Sequence, residues 1–241
     1  EDFSLFAEKC FQEFGDRVKY WTTINEPLVF CMYGYDKGLH APGRCSSTVG
    51  NCTAGNSATE PYIVAHNLLL AHSAVVKIYR TKYQVKQKGS IGMALVTNWF
   101  VPFKKSLNNQ KATQRVIDFY IGWFLDPLTK GEYPESMRSL VGARLPRFTS
   151  QQSKDLKGSF DFLGYNYYVT LFALNNPSPI NPNKMAFSLD THANVTSTIN
   201  GVSIGADEGV SSFRSYPYGL WEIVNYTKHR YNNPTIYITE T

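Results

Sequence analysis

The sequence predicts an α/β fold built on a parallel sheet. Four short runs are rich in aromatic and β-branched residues, as strands are. Segments of helical periodicity separate each run from the next, which implies βαβ units. Each strand run also ends on polar or aromatic side chains, where a parallel sheet gathers its ligand sites. Four such strands fit a small doubly wound sheet or half of an eight-stranded barrel.

Asp2 to Phe14 reads as a helix, with Phe3, Phe6, Ala7, Cys10, Phe11 and Phe14 on one stripe and Gly15 as the stop. Tyr20 to Glu26 is the first strand. Pro27 has no N–H to continue a ladder and biases Glu26 toward an extended backbone, so Glu26 is expected as the last strand residue. A loop with Gly34, Gly38, Pro42, Gly43 and Gly50 runs to about Asn56. Pro61 to Tyr83 is a long helix, and Ile91 to Thr97 an apolar strand. Lys111 to Phe124 is helical, and Pro127 is expected to end that region. Shorter helices cover Pro134 to Val141 and Ser150 to Leu156. "SFDFLGYNYYV" is the third strand, ending near Tyr168. Asn175 to Ser215 is rich in Pro, Asn, Ser and Gly, and an excursion of that length reads as a lid or rim. Pro217 to Tyr231 is a helix, and "PTIYITET" is the fourth strand.

A hydrophobic content of 43% with 18% charge places the chain among globular proteins. The 16 Tyr and 15 Phe fill a core, and they also suit sugars, whose rings stack on aromatic faces. The net charge is +5 without a basic run longer than two residues, so no nucleic-acid partner is expected. No apolar run approaches the ~20 residues that cross a bilayer, so no membrane partner is expected either. Glu1-Asp2-Phe3 does not read as a signal peptide. The histidines form no HxxxH pair and the cysteines no CxxC, so no metal is expected. His66 and His72 read as packed or hydrogen-bonded residues. No phosphate loop or GxSxG elbow is present, and no cofactor is expected.

Cys10, Cys31, Cys45 and Cys52 allow three full pairings. The polar loop between Cys45 and Cys52 suits a short staple, whereas Cys10 and Cys31 lie in apolar contexts and read as buried free thiols. Asn51-Cys52-Thr53, Asn194-Val195-Thr196 and Asn225-Tyr226-Thr227 are glycosylation acceptors. Together these features point to the secretory pathway, extracellular or vacuolar.

The first strand ends on Asn25 and Glu26, the second on Asn98 and Trp99, the third on Asn166, Tyr167 and Tyr168, and the fourth on Thr239 and Glu240. Glu26 and Glu240 are the pair to weigh. Glycoside hydrolysis needs two carboxyl groups flanking the scissile bond, one protonated and one ionised. The plainer reading is two solvated strand termini. A gap of about 5 Å would give retention and about 6.5–9.5 Å inversion.

At these residues the sequence resembles glycoside hydrolase family 1. "KYWTTINEP" is similar to the family's acid/base motif and "IYITE" to the start of its nucleophile motif. "DFYIGWFLDPLTKGEYPESM", "DFLGYNYY" and "GLHAPGRCSS...NCT" resemble the plant β-glucosidases of that family. The resemblance covers nearly the whole chain. It implies a (β/α)8 TIM barrel and retaining β-glycosidase chemistry on a small-molecule β-glucoside. By the resemblance Glu26 is the acid/base, Glu240 the nucleophile, and Asn25 the partner of the sugar 2-hydroxyl. Tyr168 orients the nucleophile, and Asn98 and Trp99 face the aglycone. Cys45–Cys52 matches a loop disulfide of the plant members. The thioglucosidase branch carries Gln where Glu26 stands, which argues for an O-glycosidase.

The resemblance further implies a chain about twice as long. Residues 1–241 then form a partial glycosidase domain covering roughly barrel strands 4 to 7. Strands one to three and eight fall outside it, with the Gln, His and Trp that grip the glycone and a Trp–Glu platform. Two open sheet edges are expected, covered by a complementary chain or a homo-oligomer, with little or no activity for this chain alone. The rival expectation is a catalytically inactive family-derived fragment that binds sugar or serves plant storage or defence.

Overall fold

The computed structural model describes residues 1–177, 181, 184–207 and 213–241. Helix α1 (Asp2–Phe14) leads into β1 (Tyr20–Asn25), α2 (Pro27–Cys31) and a π turn over Met32–Asp36. After the loop come α3 (Glu60–Ile78), a second π turn over Tyr79–Tyr83, α4 (Gln84–Gln87) and β2 (Ser90–Val96). Next are β3 (Trp99–Pro102), α5 (Leu107–Ile117), a third π turn over Asp118–Gly122, α6 (Trp123–Lys130), α7 (Glu135–Val141) and α8 (Ser150–Leu156). β4 (Phe162–Asn166) and β5 (Thr170–Asn175) follow. Then come α9 (Phe187–Asp190) and β6 (Ala193–Thr196). Two small ribbons are formed by β7 (Thr198–Ile199) with β8 (Val202–Ser203), and by β9 (Ala206–Asp207) with β10 (Arg214–Ser215). Helix α10 (Pro217–Arg230) and β11 (Ile236–Glu240) complete the order.

The central sheet runs β1-β2-β4-β11, with every pair parallel. Its curvature decides between the two architectures. Tyr20 on β1 and Tyr237 on β11, the two outer strands, meet edge to face at 5.6 Å, and both pack on Phe162 of β4. Four strands laid flat would hold the outer pair roughly 14 Å apart. The sheet therefore curls as a barrel wall does. Its concave face stays open, with Tyr20 at 65% and Tyr237 at 40% exposure. The convex face is covered by helices. Met93, Leu95, Leu163 and Tyr165 pack there in one core with Tyr62, Leu69, Phe119, Trp123 and Phe124. A smaller core joins Phe11 of α1 to Trp21, Tyr79 and Ile91. His72 is buried in this wall, its Nε2–H donating to Ser159 O at 2.7 Å and its Nδ1 paired with the Thr23 hydroxyl at 2.6 Å. His66 stacks on Phe148. Among the described residues no helix is long and apolar enough to cross a membrane.

Four expectations need correction. Strand β1 stops at Asn25, and Glu26 is left-handed (φ 46°, ψ 56°) rather than extended, because Pro27 opens helix α2 instead of interrupting a strand. Pro127 does not end its helix. α6 continues to Lys130, since burial of Trp123, Phe124, Leu125 and Leu128 outweighs the one lost hydrogen bond. On α1 only Ala7 and Phe11 are buried, while Phe6 and Phe14 stay exposed and Cys10 is half-buried. The excursion from Asn175 to Ser215 is not a plain rim. Its strand β6 pairs with β5, which ends where the excursion begins and itself pairs with β3, giving a second sheet, β3-β5-β6. Within it, 178–180, 182–183 and 208–212 lie outside the described residues.

Candidate active site

The C-terminal ends of β1, β4 and β11 converge. At the first, a register shift between Thr22 and Asn25 breaks the ladder, and the Glu26 N–H is pinned to Ala94 O of β2 at 2.9 Å. A non-glycine residue in the left-handed region costs roughly 1–2 kcal/mol, so this backbone is held by its surroundings. At the third, the Tyr167 N–H bonds Glu240 O at 3.0 Å and fixes the end of β11.

Asn166 stands at the centre and is fully buried. Its Nδ2 donates toward Glu26 Oε1 at 2.9 Å, Glu240 Oε1 at 2.8 Å and Asn25 Oδ1 at 3.1 Å. Its Oδ1 accepts from Thr239 Oγ1 at 2.5 Å. The Tyr168 hydroxyl lies 2.9 Å from Glu26 Oε1 and 2.5 Å from Glu240 Oε2. Burial, then its bonds to Glu240 and Glu26, push the Tyr168 phenol well above its ordinary range, so it stays a donor. These two legs hold the carboxylate oxygens within about 5.4 Å of each other. That upper bound lies below the roughly 6.5–9.5 Å of an inverting pair and leaves room for the roughly 5–5.5 Å of a retaining one.

Glu26, Glu240, Asn25 and Tyr168 are thus brought into one hydrogen-bonded group. Asn98 lies between β2 and β3 and Trp99 opens β3, and neither is brought into that group. Trp99 is buried against Tyr226 of α10 at 5.5 Å, while Asn98 keeps a buried Oδ1 with no protein partner. Asn166 and Thr239 were legible as strand ends but not as functional residues. Their part depends on register between strands more than 70 residues apart, and sequence spacing carries no trace of it. Among the described residues no group of three His, Cys, Asp or Glu could hold a metal ion.

Cys45 and Cys52 are bridged, with Cα atoms 5.5 Å apart, and Cys31 is a buried free thiol. Asn51 and Asn194 are exposed. Asn225 is half-buried inside α10, and the hydroxyl of Thr227, fully buried, is bonded to Tyr165 at 2.7 Å.

A family model described as glycosyl hydrolase family 1 matches residues 1–241. The chain is 55% identical over 241 residues to beta-glucosidase 24 of Oryza sativa subsp. japonica, covering 100% of this chain and 48% of that protein. It is 54% identical over 239 residues to the furcatin hydrolase of Viburnum furcatum, covering 99% of this chain and 44% of that one. The crystal structure of the rice Os3BGlu6 beta-glucosidase matches with a TM-score of 0.95 at 45% identity, over 99% of this chain and 50% of that one. A mutant of that rice enzyme, in a covalent complex with Glc, matches with a TM-score of 0.96 at 44% identity and the same coverage. The chain spans about half the length of these relatives.

Proposed function

Because this chain belongs to glycosyl hydrolase family 1 and forms about half of the family's (β/α)8 barrel, we propose that its site serves the retaining hydrolysis of O-β-glucosides. Glu26 protonates the glycosidic oxygen while Glu240 attacks the anomeric carbon, and the aglycone leaves as an alcohol. Glu26 then takes a proton from water, which attacks the same carbon and frees Glu240. Asn25 bonds the sugar 2-hydroxyl, Tyr168 orients Glu240, and Asn98 and Trp99 face the aglycone. The observation that carries the reading is the sharing of two donors, Asn166 and Tyr168, by two carboxylates at the C-terminal ends of separate strands, Glu26 just past β1 and Glu240 the last residue of β11. The covalent Glc complex of the rice relative supports a covalent route for this site too.

The open concave face supports a covering partner, either a complementary chain or a second copy. The Cys45–Cys52 bridge and the exposed Asn51 between its cysteines support the secretory pathway. The test is turnover of a chromogenic β-glucoside by this chain and by Glu26→Gln. Hydrolysis that the substitution removes supports the enzyme. Measurable sugar binding with no turnover favours the rival, a sugar-binding or storage or defence protein, which the open face would suit.

A further inference from the structure

Thr239 and Glu240 are consecutive in β11, and in a regular strand their side chains would point to opposite faces. Here both reach Asn166. The ladder between β11 and β4 pairs Ile238 with Tyr165 and Glu240 with Asn166, leaving Thr239 as an extra residue at the register shift. Such a bulge re-aims side chains. It puts the Glu240 carboxylate at the nitrogen of the Asn166 amide and the Thr239 hydroxyl at its oxygen. Space for that hydroxyl comes from Gly164, where a Cβ would lie 3.0 Å from Thr239 Oγ1.

An amide can turn end for end with little change of shape. The acceptors around Nδ2 are all oxygens, two of them on carboxylates, so the nitrogen must face them. Asn166 Oδ1 is then committed to the opposite side, in a fully buried position where it needs a donor. The Thr239 hydroxyl is that donor. On the reading of the site given above, we propose that Thr239 is a positioning residue. Its hydroxyl anchors the Asn166 amide so that the N–H groups stay on Glu26 and Glu240 through both chemical steps, including the interval when Glu240 is an ester and attracts them less.

The test compares Thr239→Val, which keeps the shape and loses the hydroxyl, with Thr239→Ser, which keeps the hydroxyl and loses the methyl. The first readout is hydrogen exchange of the Asn166 side-chain amide by NMR, which needs no turnover. Thr239→Val should speed that exchange about tenfold, with Thr239→Ser matching the parent chain. The second readout is turnover of the chromogenic glucoside, where Thr239→Val should lower kcat about tenfold at unchanged KM, with Thr239→Ser restoring it. Thr239→Ala replaces Thr239→Val if that variant does not fold. A packing role predicts the reverse order, with Thr239→Val normal and Thr239→Ser impaired. That order, or equal behaviour of both variants, overturns the proposal. Failure of the parent chain to turn over glucoside at all would count against the hydrolase reading, while the exchange measurement would still decide the part played by Thr239.

Discussion

Glu26 joins two demands in one residue. Its carboxylate must face Glu240, and its backbone must turn from β1 into α2. The left-handed conformation meets both, and Pro27, preset for the first helical position, holds the turn from the other side. The sequence made the acid legible, because an acid before proline at a strand end is out of place for packing. It hid the conformation, because a proline that stops a strand and one that starts a helix look alike in letters. Glu26→Gln keeps size and hydrogen bonding but removes the transferable proton. Turnover is expected to fall about 10²–10⁴-fold, most for substrates with poor leaving groups, with an unchanged circular dichroism spectrum. A loss that tracked unfolding instead would make Glu26 structural.

At the level of elements, the four sheet strands and the long helices were legible within a few residues. Apolar strand runs and amphipathic helices are local patterns. The second sheet was not, because β5 and β6 owe their pairing to β3, which lies some 70 residues earlier than β5 in the chain. What fixes this region to the barrel wall is also non-local. Asp190 of α9 takes both ends of Arg144, at 2.7 and 2.8 Å, and the Tyr62 hydroxyl of α3 at 2.6 Å. The pair is nearly buried, with side chains 15% and 10% exposed. Removing one partner strands the other charge. Asp190→Ala is therefore expected to lower stability by about 3–5 kcal/mol in denaturant unfolding. A change within experimental error would show that the clamp is idle.

Across the whole molecule, two buried titratable groups oppose each other. Burial pushes the Asp36 carboxyl up from its usual 3.8 to about 6; Ser188 lies near, but neither oxygen has a well-formed hydrogen bond. Between pH 4 and 6 the folded state keeps this proton and the unfolded state has lost it, so stability falls as pH rises, by roughly 3 kcal/mol in all. Burial holds His72 down from 6.5 to about 4. Between pH 6.5 and 4 the unfolded state takes up a proton that the folded state refuses, so stability falls as pH drops, by a similar amount. The two slopes nearly cancel. Asp36→Asn should expose the histidine slope and stabilise the chain at pH 7 while leaving it unchanged at pH 4, as melting temperatures would record. A variant with the parent's flat profile would contradict the assignment. The larger claim concerns the concave mouth of the curled sheet, where Glu26 and Glu240 meet through shared donors. Its most direct test is incubation with a 2-deoxy-2-fluoro-β-glucoside carrying a good leaving group, followed by peptide mass spectrometry. The account predicts one fluoroglucosyl group on Glu240, absent after Glu240→Gln. A label on any other residue, or none on a chain shown to bind the reagent, would contradict it.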